Sequence, residues 1–278
     1  MKKMLSVLLA CVLVITMTAG IALAEPNEES ESIVNAEEVI DEDPAGYGPF
    51  LYNFNIGSAD ATIPSPTATK NFKIYATASA NTVGVWVDVH VFKPYSNTYE
   101  YIRMNEVGRR PIDNATREYV DFEADFNYSN YNENGVYYFQ LEVYDAEERI
   151  IHSEMKKVAI YDNAADSLIY NLYSGGLNRD PDKGGFDNYS TGFKNKSMTF
   201  SAVATGFYLG DEMNNQSLPN DEYVNRLYRG ILGREPDPDG KTYWLNRLNS
   251  GESRWTVVAS FINLPEVKNI CDQAGVVF

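Results

Sequence analysis

The sequence predicts a multidomain chain of 278 residues, an all-β antiparallel sandwich followed by an all-α helical domain with an internal duplication. Three observations lead there. Apolar residues alternate with polar ones from about Phe50 to Tyr161, the period of strands with one buried face. From about Asn163 the apolar spacing becomes helical. Within that second region one segment repeats at an offset of 55 residues.

The chain opens Met1-Lys2-Lys3, continues with a mostly apolar run from Leu5 to Thr16, and reaches Ala22 and Ala24 in a small-x-small arrangement. That order predicts a signal peptide over residues 1–24, cleaved after Ala24, and therefore a secreted or extracellular protein. An uncleaved anchor is the alternative, but no basic stop-transfer flank follows, so no transmembrane segment is expected after cleavage. Leu8-Leu9-Ala10-Cys11 resembles a lipobox; the apolar run continues well past Cys11, which favours ordinary cleavage. Cys271 is then the one cysteine of the exported chain, so the fold is expected to be held by apolar burial rather than a disulfide.

The net charge is −16, and nine acidic residues with no Lys or Arg fall between Glu25 and Asp43. Such a segment cannot bury enough surface to fold, so residues 25–49 are expected to be an acidic disordered spacer. Nucleic acid and anionic lipid are poor partners for this composition, because both are held by basic patches.

Residues 50–162 carry the strand pattern. Val83, Val85, Val87, Val89 and Val91 share one face, with Trp86, Asp88, His90 and Phe92 on the other. Phe72-x-Ile74-x-Ala76-x-Ala78 and Val120-x-Phe122-x-Ala124-x-Phe126 alternate likewise, as do Tyr137, Phe139, Leu141 and Val143. Asn134-Gly135, Lys93-Pro94-Tyr95 and Asp145-Ala146-Glu147-Glu148 supply turns. No helix-length crossover separates the strands, which argues for an antiparallel sandwich. The segment from Gly135 to Ile151 resembles the closing hairpin of bacterial immunoglobulin-like or fibronectin-type-III-like domains, folds that host many functions.

Residues 163–278 divide into two related units, 163–212 and 218–278. Leu172-Tyr173, Gly175, Leu177, Arg179, Pro181-Asp182 and Gly185 align with Leu227-Tyr228, Gly230, Leu232, Arg234, Pro236-Asp237 and Gly240. The ungapped match extends to Val203-Ala204 with Val258-Ala259 and Leu209 with Leu264. In the second unit Tyr223, Val224, Leu227, Tyr228, Ile231 and Leu232 predict an amphipathic helix ending at Gly233. A second helix carries Tyr243, Trp244 and Leu248, a third starts at the N-cap Ser253, and a fourth has Pro265 in its first turn and carries Cys271. The run from Tyr223 to Glu266, with Leu227-Tyr228, Leu232-Gly233-Arg234, Asp237, Gly240 and Tyr243-Trp244, resembles the Domain of Unknown Function 4214 family. That resemblance implies a compact helical module, appended to other domains in secreted and surface-associated bacterial proteins, and implies no general activity.

The sequence assigns no catalytic, cofactor-binding or metal-ligating residue. Glu235, Asp237, Asp239 and Gly240 resemble the start of a calcium loop, but the twelfth position is Asn246 and Pro236 and Pro238 stiffen the turn. A helix-capping turn is the better account, with a weak calcium site at this acidic turn as the alternative. Arg179 and Arg234 are expected to pair with carboxylates or helix-end carbonyls rather than clamp an anion. The two histidines, His90 and His152, fall at outward or edge strand positions, and no Gly-x-Ser-x-Gly elbow occurs. Tyr95, Tyr99, Tyr101, Tyr128 and Tyr131 lie in or beside loops, where rings could stack on sugars or anchor a protein. The Asn114-Ala-Thr116 sequon carries little meaning beside a bacterial-style export signal. Leu264-Pro265 is followed by Glu266-Val267, not by a sorting motif, so covalent wall attachment is not expected. The expected function is a non-catalytic binding or adhesion module for a glycan or protein, with a secreted hydrolase or a structural envelope component as alternatives.

Overall fold

The computed structural model describes residues 51–56, 71–81, 84–112 and 117–278. The expected signal peptide, with Cys11, the acidic spacer and the sequon at Asn114 lie outside the described residues. The strands are β1 Leu51–Ile56, β2 Asn71–Asn81, β3 Trp86–Phe92, β4 Tyr99–Arg103, β5 Asn105–Pro111, β6 Arg117–Asn127, β7 Gly135–Tyr144 and β8 Ile150–Ile160. They form two antiparallel sheets, β1-β2-β6-β5 and β4-β3-β7-β8.

The described side chains expected to point inward do so, Val83 lying outside the described residues. Ile74, Ala76 and Ala78 of β2, Val87, Val89 and Val91 of β3, and Val120, Phe122, Ala124 and Phe126 of β6 are buried with Tyr137, Phe139, Leu141 and Val143 of β7. Strict alternation fixes register, because a one-residue slip would turn every apolar side chain to the surface. The β7–β8 turn is closed by Asp145, whose Oδ1 accepts from the backbone N of Glu147 at 3.1 Å and of Arg149 at 2.8 Å. Tyr137, near the start of β7, donates its hydroxyl to the carbonyl of Glu133 at 2.6 Å. One expectation fails. The second face of β3 is not solvent-facing, since Asp88 and His90 are buried there.

After Tyr161 the chain becomes helical: α1 Ala164–Asn171, α2 Lys183–Lys194, α3 Phe200–Leu209, α4 Asp211–Asn215, α5 Asn220–Leu227, α6 Pro238–Asn249, α7 Arg254–Ile262 and α8 Pro265–Ala274. Helices α1 and α5 each run into a π-helical turn, Leu172–Leu177 and Tyr228–Leu232. The turns end on left-handed residues, Asn178 (φ 58°) and Gly233 (φ 65°). Asparagine is among the few residues that tolerate this conformation, which is why the first unit keeps the bend without its glycine. Among the described residues no helix is long and apolar enough to cross a membrane.

The two π turns pack backbone against backbone at their glycines. A Cβ on Gly175 would lie 2.7 Å from the carbonyl oxygen of Arg229, and one on Gly230 would lie 2.8 Å from the amide N of Gly176. Around this crossing both units share one apolar core, from Ile169 and Leu172 to Leu227, Ile231 and Cys271, and that core continues into Val136 and Ala159 of the second sheet. Tyr161 stacks on Phe186 at 5.1 Å, while Asp180 receives Lys157 at 2.7 Å and the hydroxyl of Tyr138.

The repeat departs from the ungapped match beyond α2 and α6. Helix ends Lys194 and Asn249 keep the offset of 55, but the N-caps Thr199 and Ser253 stand 54 apart, because the first unit has one more residue in the intervening loop. The buried set then corresponds as Val203 with Val257, Ala204 with Val258 and Phe207 with Phe261.

Gly175→Ala is expected to lower the free energy of unfolding by about 1–3 kcal/mol, the usual cost of overpacking. Gly184→Ala, whose methyl would meet only the Asp182 carboxylate at 3.6 Å, should leave stability unchanged or raise it. Urea unfolding of both variants measures the difference.

Candidate functional site: the repeated turn and the outer face of the second sheet

The residues that define the repeat meet at the turn leading from each π segment into the next helix. In the second unit Asp237 caps α6, its Oδ1 accepting from the Gly240 amide at 2.8 Å. Arg234 forks Glu266 with two bonds of 2.9 Å, donates to the carbonyl of Glu235 at 3.2 Å and lies 5.0 Å over the Tyr228 ring. A Cβ on Gly240 would overlap the Tyr228 hydroxyl, so the glycine lets that tyrosine seat against the helix. Trp244 is buried 5.1 Å from Phe261 and 5.0 Å under Arg247.

The first unit repeats the arrangement. Asp182 caps α2 through Gly185 at 2.8 Å, and Arg179 forks Glu212 at 2.5 and 3.0 Å while lying 4.7 Å over Tyr173. A Cβ on Gly185 would overlap the Tyr173 hydroxyl. Both arginines therefore fix a turn, the role expected for them. Glu235 is engaged by Arg229 at 2.6 Å and Asp237 by its cap and by Arg234 at 3.6 Å, so the alternating carboxylates point to separate partners.

Hydrogen bonds from the backbone amides of Gly185 and Gly240 hold the carboxyls of Asp182 and Asp237 below the usual carboxylate range, helped by Arg179 and Arg234. The bond from Arg179 does the same for Glu212.

The other cluster lies on the outer face of β4-β3-β7-β8. Register places Trp86 opposite Tyr144, Asp88 opposite Glu142 and His90 opposite Gln140, and on the other side Asp88 opposite Arg103 and His90 opposite Tyr101. Glu142 is only 1% exposed; it accepts from the Tyr144 hydroxyl at 2.5 Å and from Gln140 Nε2 at 3.2 Å. Gln140 also donates to Ser153 at 3.0 Å. Arg103 forks Asp88, with Nη2 to Oδ2 at 3.1 Å, and lies 5.5 Å over Trp86. His90 is 5% exposed and stacks on Tyr99 at 4.6 Å; its Nε2 is 3.7 Å from Glu142, and its Nδ1 is buried without a hydrogen-bond partner. Trp86 and Tyr144 stack at 5.7 Å, and Tyr101 stands 69% exposed. Burial raises the Tyr144 hydroxyl well above the normal phenol range, reinforced by its bond to Glu142 and by Asp88, so it stays a donor at any physiological pH.

The expected tyrosines separate into three groups. Tyr99 and Tyr101 belong to this face. Tyr128 is buried, donating to Asn134 at 3.0 Å, and Tyr131 stacks on Phe126 at 5.0 Å, so both serve the sandwich core. Tyr95, left-handed at φ 56°, lies beneath Lys183 of α2, whose Nζ is 5.6 Å from its ring. His152 is half-buried on β8 opposite Val143, away from His90. The residues that sequence reasoning missed, Trp86, Asp88, Arg103, Glu142 and Tyr144, become neighbours only through strand register. Their signal was an outer-face sequence too rich in acids and rings for a plain solvated strand.

The repeated turn defines a class of helical unit in which a capping aspartate, a clamping arginine and a tyrosine seated on glycine hold two helices at a π bend. The family model described as Domain of unknown function (DUF4214) matches residues 211–271, running from α4 into α8 and extending beyond the Tyr223–Glu266 span legible from the motif. No curated protein matches the chain.

Two predictions follow from the turn. Gly240→Ala should destabilise the helical region, and Tyr228→Phe in the same chain should restore part of the loss by removing the overlapping hydroxyl, the Asp237 carboxylate 2.9 Å from the new methyl accounting for the rest; thermal melting of the three variants tests this. The second concerns acid. Asp182, Asp237 and Glu212 have folded values below their unfolded ones, so their contribution is complete above the unfolded value of about 4 and is lost as pH falls through the folded value. The melting temperature should change little from these groups between pH 7 and about 5 and then drop. An Asp182→Asn/Asp237→Asn double variant keeps its caps and should show a shallower acid decline.

Proposed function

We propose that the chain is a secreted or surface-associated, non-catalytic binding or adhesion module. A cleaved signal peptide and an acidic spacer would deliver it, and the outer face of β4-β3-β7-β8 would engage the ligand. The observation that carries this reading is the ring of half-exposed and exposed aromatic side chains, Trp86, Tyr99, Tyr101 and Tyr144, around a floor of buried polar groups. Large rigid rings supply contact area at low entropic cost, and a cluster of them on a sheet face is the composition of a recognition surface. The helical pair exposes two large rings, Tyr243 of α6 and Trp255 of α7, while the arginine, aspartate and buried tyrosine of its motif are engaged with one another.

The immunoglobulin-like reading of the sandwich is part of the proposal. The strand orders correspond to the ABED and CFG sheets of constant-type immunoglobulin domains with one added strand beside C, and the Tyr137–Glu133 bond occupies the place of the tyrosine corner before strand F. Folds of this kind present loops and faces to partners but fix no activity.

The opposed carboxylates Asp88 and Glu142 favour one second reading, a hydrolase with an acid pair. Against it, Asp88 is held by Arg103 and Glu142 by Tyr144 and Gln140, and neither reaches the surface where a scissile bond would lie.

The test is retention of the chain from Glu25 onward on immobilised glycans, cell-wall fractions and surface proteins. Tyr101→Ala should weaken capture about tenfold, the effect of losing one aromatic hot spot, without lowering the melting temperature. Capture insensitive to Tyr101→Ala and Tyr99→Ala together contradicts the assignment to this face. Turnover of a polymer that Glu142→Gln abolishes would establish the hydrolase instead.

A further inference from the structure

We propose that the partner of this face is a basic polypeptide segment, its lysine or arginine groups lying over Tyr144 and the carboxylate of Glu142; the inference rests on the binding reading above. The chain shows the recognition mode within itself. On one half of the face Arg103 forks Asp88 and covers the ring of Trp86. Strand register sets a second acid and ring directly opposite, Glu142 across from Asp88 and Tyr144 across from Trp86. Among the described residues, that second half has no arginine of its own.

Glu142 receives only the neutral donors Tyr144 and Gln140, and among the described residues the one basic group within ion-pair reach is His90, at 3.7 Å. His90 is a poor permanent partner. Its Nε2 is too far for a hydrogen bond, and its Nδ1, nine-tenths buried with the rest of the ring, has no partner. A carboxylate beneath aromatic rings is screened little by water, so its attraction extends to a cation placed on those rings, where the π face adds its own.

Two further observations favour a polypeptide over a small amine or a sugar. The side chains exposed around the face, Tyr101, Arg103 and Met155 with the half-exposed Trp86, Tyr99 and Tyr144, are the types enriched at protein interfaces. Tyr99, Tyr101 and Arg103 alternate along the edge strand β4, which suits an extended segment. A net charge of −16 steers basic partners toward the chain and repels a second copy of it.

The experiment measures binding of an octalysine peptide, its fully Nε-acetylated form and a panel of cell-wall glycans to the chain from Glu25 onward. Glu142→Gln should weaken octalysine binding at least tenfold, and Asp239→Asn, which removes the same charge from the exposed start of α6, should leave it unchanged; the acetylated peptide should not bind. Tyr101→Ala should weaken binding with no change of charge, and Tyr144→Leu, which removes the ring beneath the cation, should also weaken it and serves in place of Glu142→Gln if that variant melts early. Equal losses from Glu142→Gln and Asp239→Asn would overturn the proposal, since general acidity then explains the affinity. Glycan capture that depends on Tyr101 but not on Glu142 would overturn it while leaving the binding function standing. If neither probe binds, both readings fall.

Discussion

The helical half depends on a contact that only glycine permits, the crossing of two π turns at Gly175 and Gly230, where an added Cβ would run into the Arg229 backbone or into the Tyr208 hydroxyl and the Gly176 amide. Any Cβ there would push the units apart and open the core they share. Because the backbones touch, Tyr208 can donate across the join to the carbonyl of Arg226, and Tyr223 can return a bond of 3.1 Å to the carbonyl of Tyr208. Arg226 is buried at the same seam and donates to Gly176 O at 3.3 Å and to Gln216 at 2.6 Å. A buried arginine is tolerated only when its donors are matched, and here they are matched from both units. The segment matched by the family model is thus one half of a pair with a common interior.

This close join explains the composition of the repeated motif. A π bend brings the tyrosine over the following helix, a glycine makes room for its hydroxyl, and an aspartate ties off the helix start. The arginine then closes the turn against a glutamate from the last helix of the unit. Each residue answers a geometric need created by its neighbour, which leaves little chemistry over for a ligand.

Much of this was legible before the structure. Period-two alternation marked the buried faces of β2, β3, β6 and β7, and the capping serine, aspartates and left-handed glycine marked helix ends in the second unit. What stayed hidden needed information that one-dimensional spacing does not carry. The one-residue difference between the loops after α2 and α6 is invisible in an ungapped comparison, because apolar neighbours at Val203-Ala204 and Val258-Ala259 tolerate either alignment. Asp88 and His90 read as solvent-facing because alternation reports which side of a strand a residue takes, and rings from β4 and β7 decide whether that side is wet. Tyr95 is the exposed loop ring its sequence position suggests, and only the packing of the helices on the sheet brings Lys183 over it.

On the proposed function the two halves divide the work, with recognition on the second sheet and construction at the helical motif. Amide hydrogen exchange of the chain from Glu25 onward, with and without a ligand captured from the extracellular fractions, tests that division most directly. The account predicts new protection across residues 86–103 and 138–144 with none at residues 228–244. Protection centred on the Tyr228–Trp244 turn, with the sheet unchanged, would contradict it.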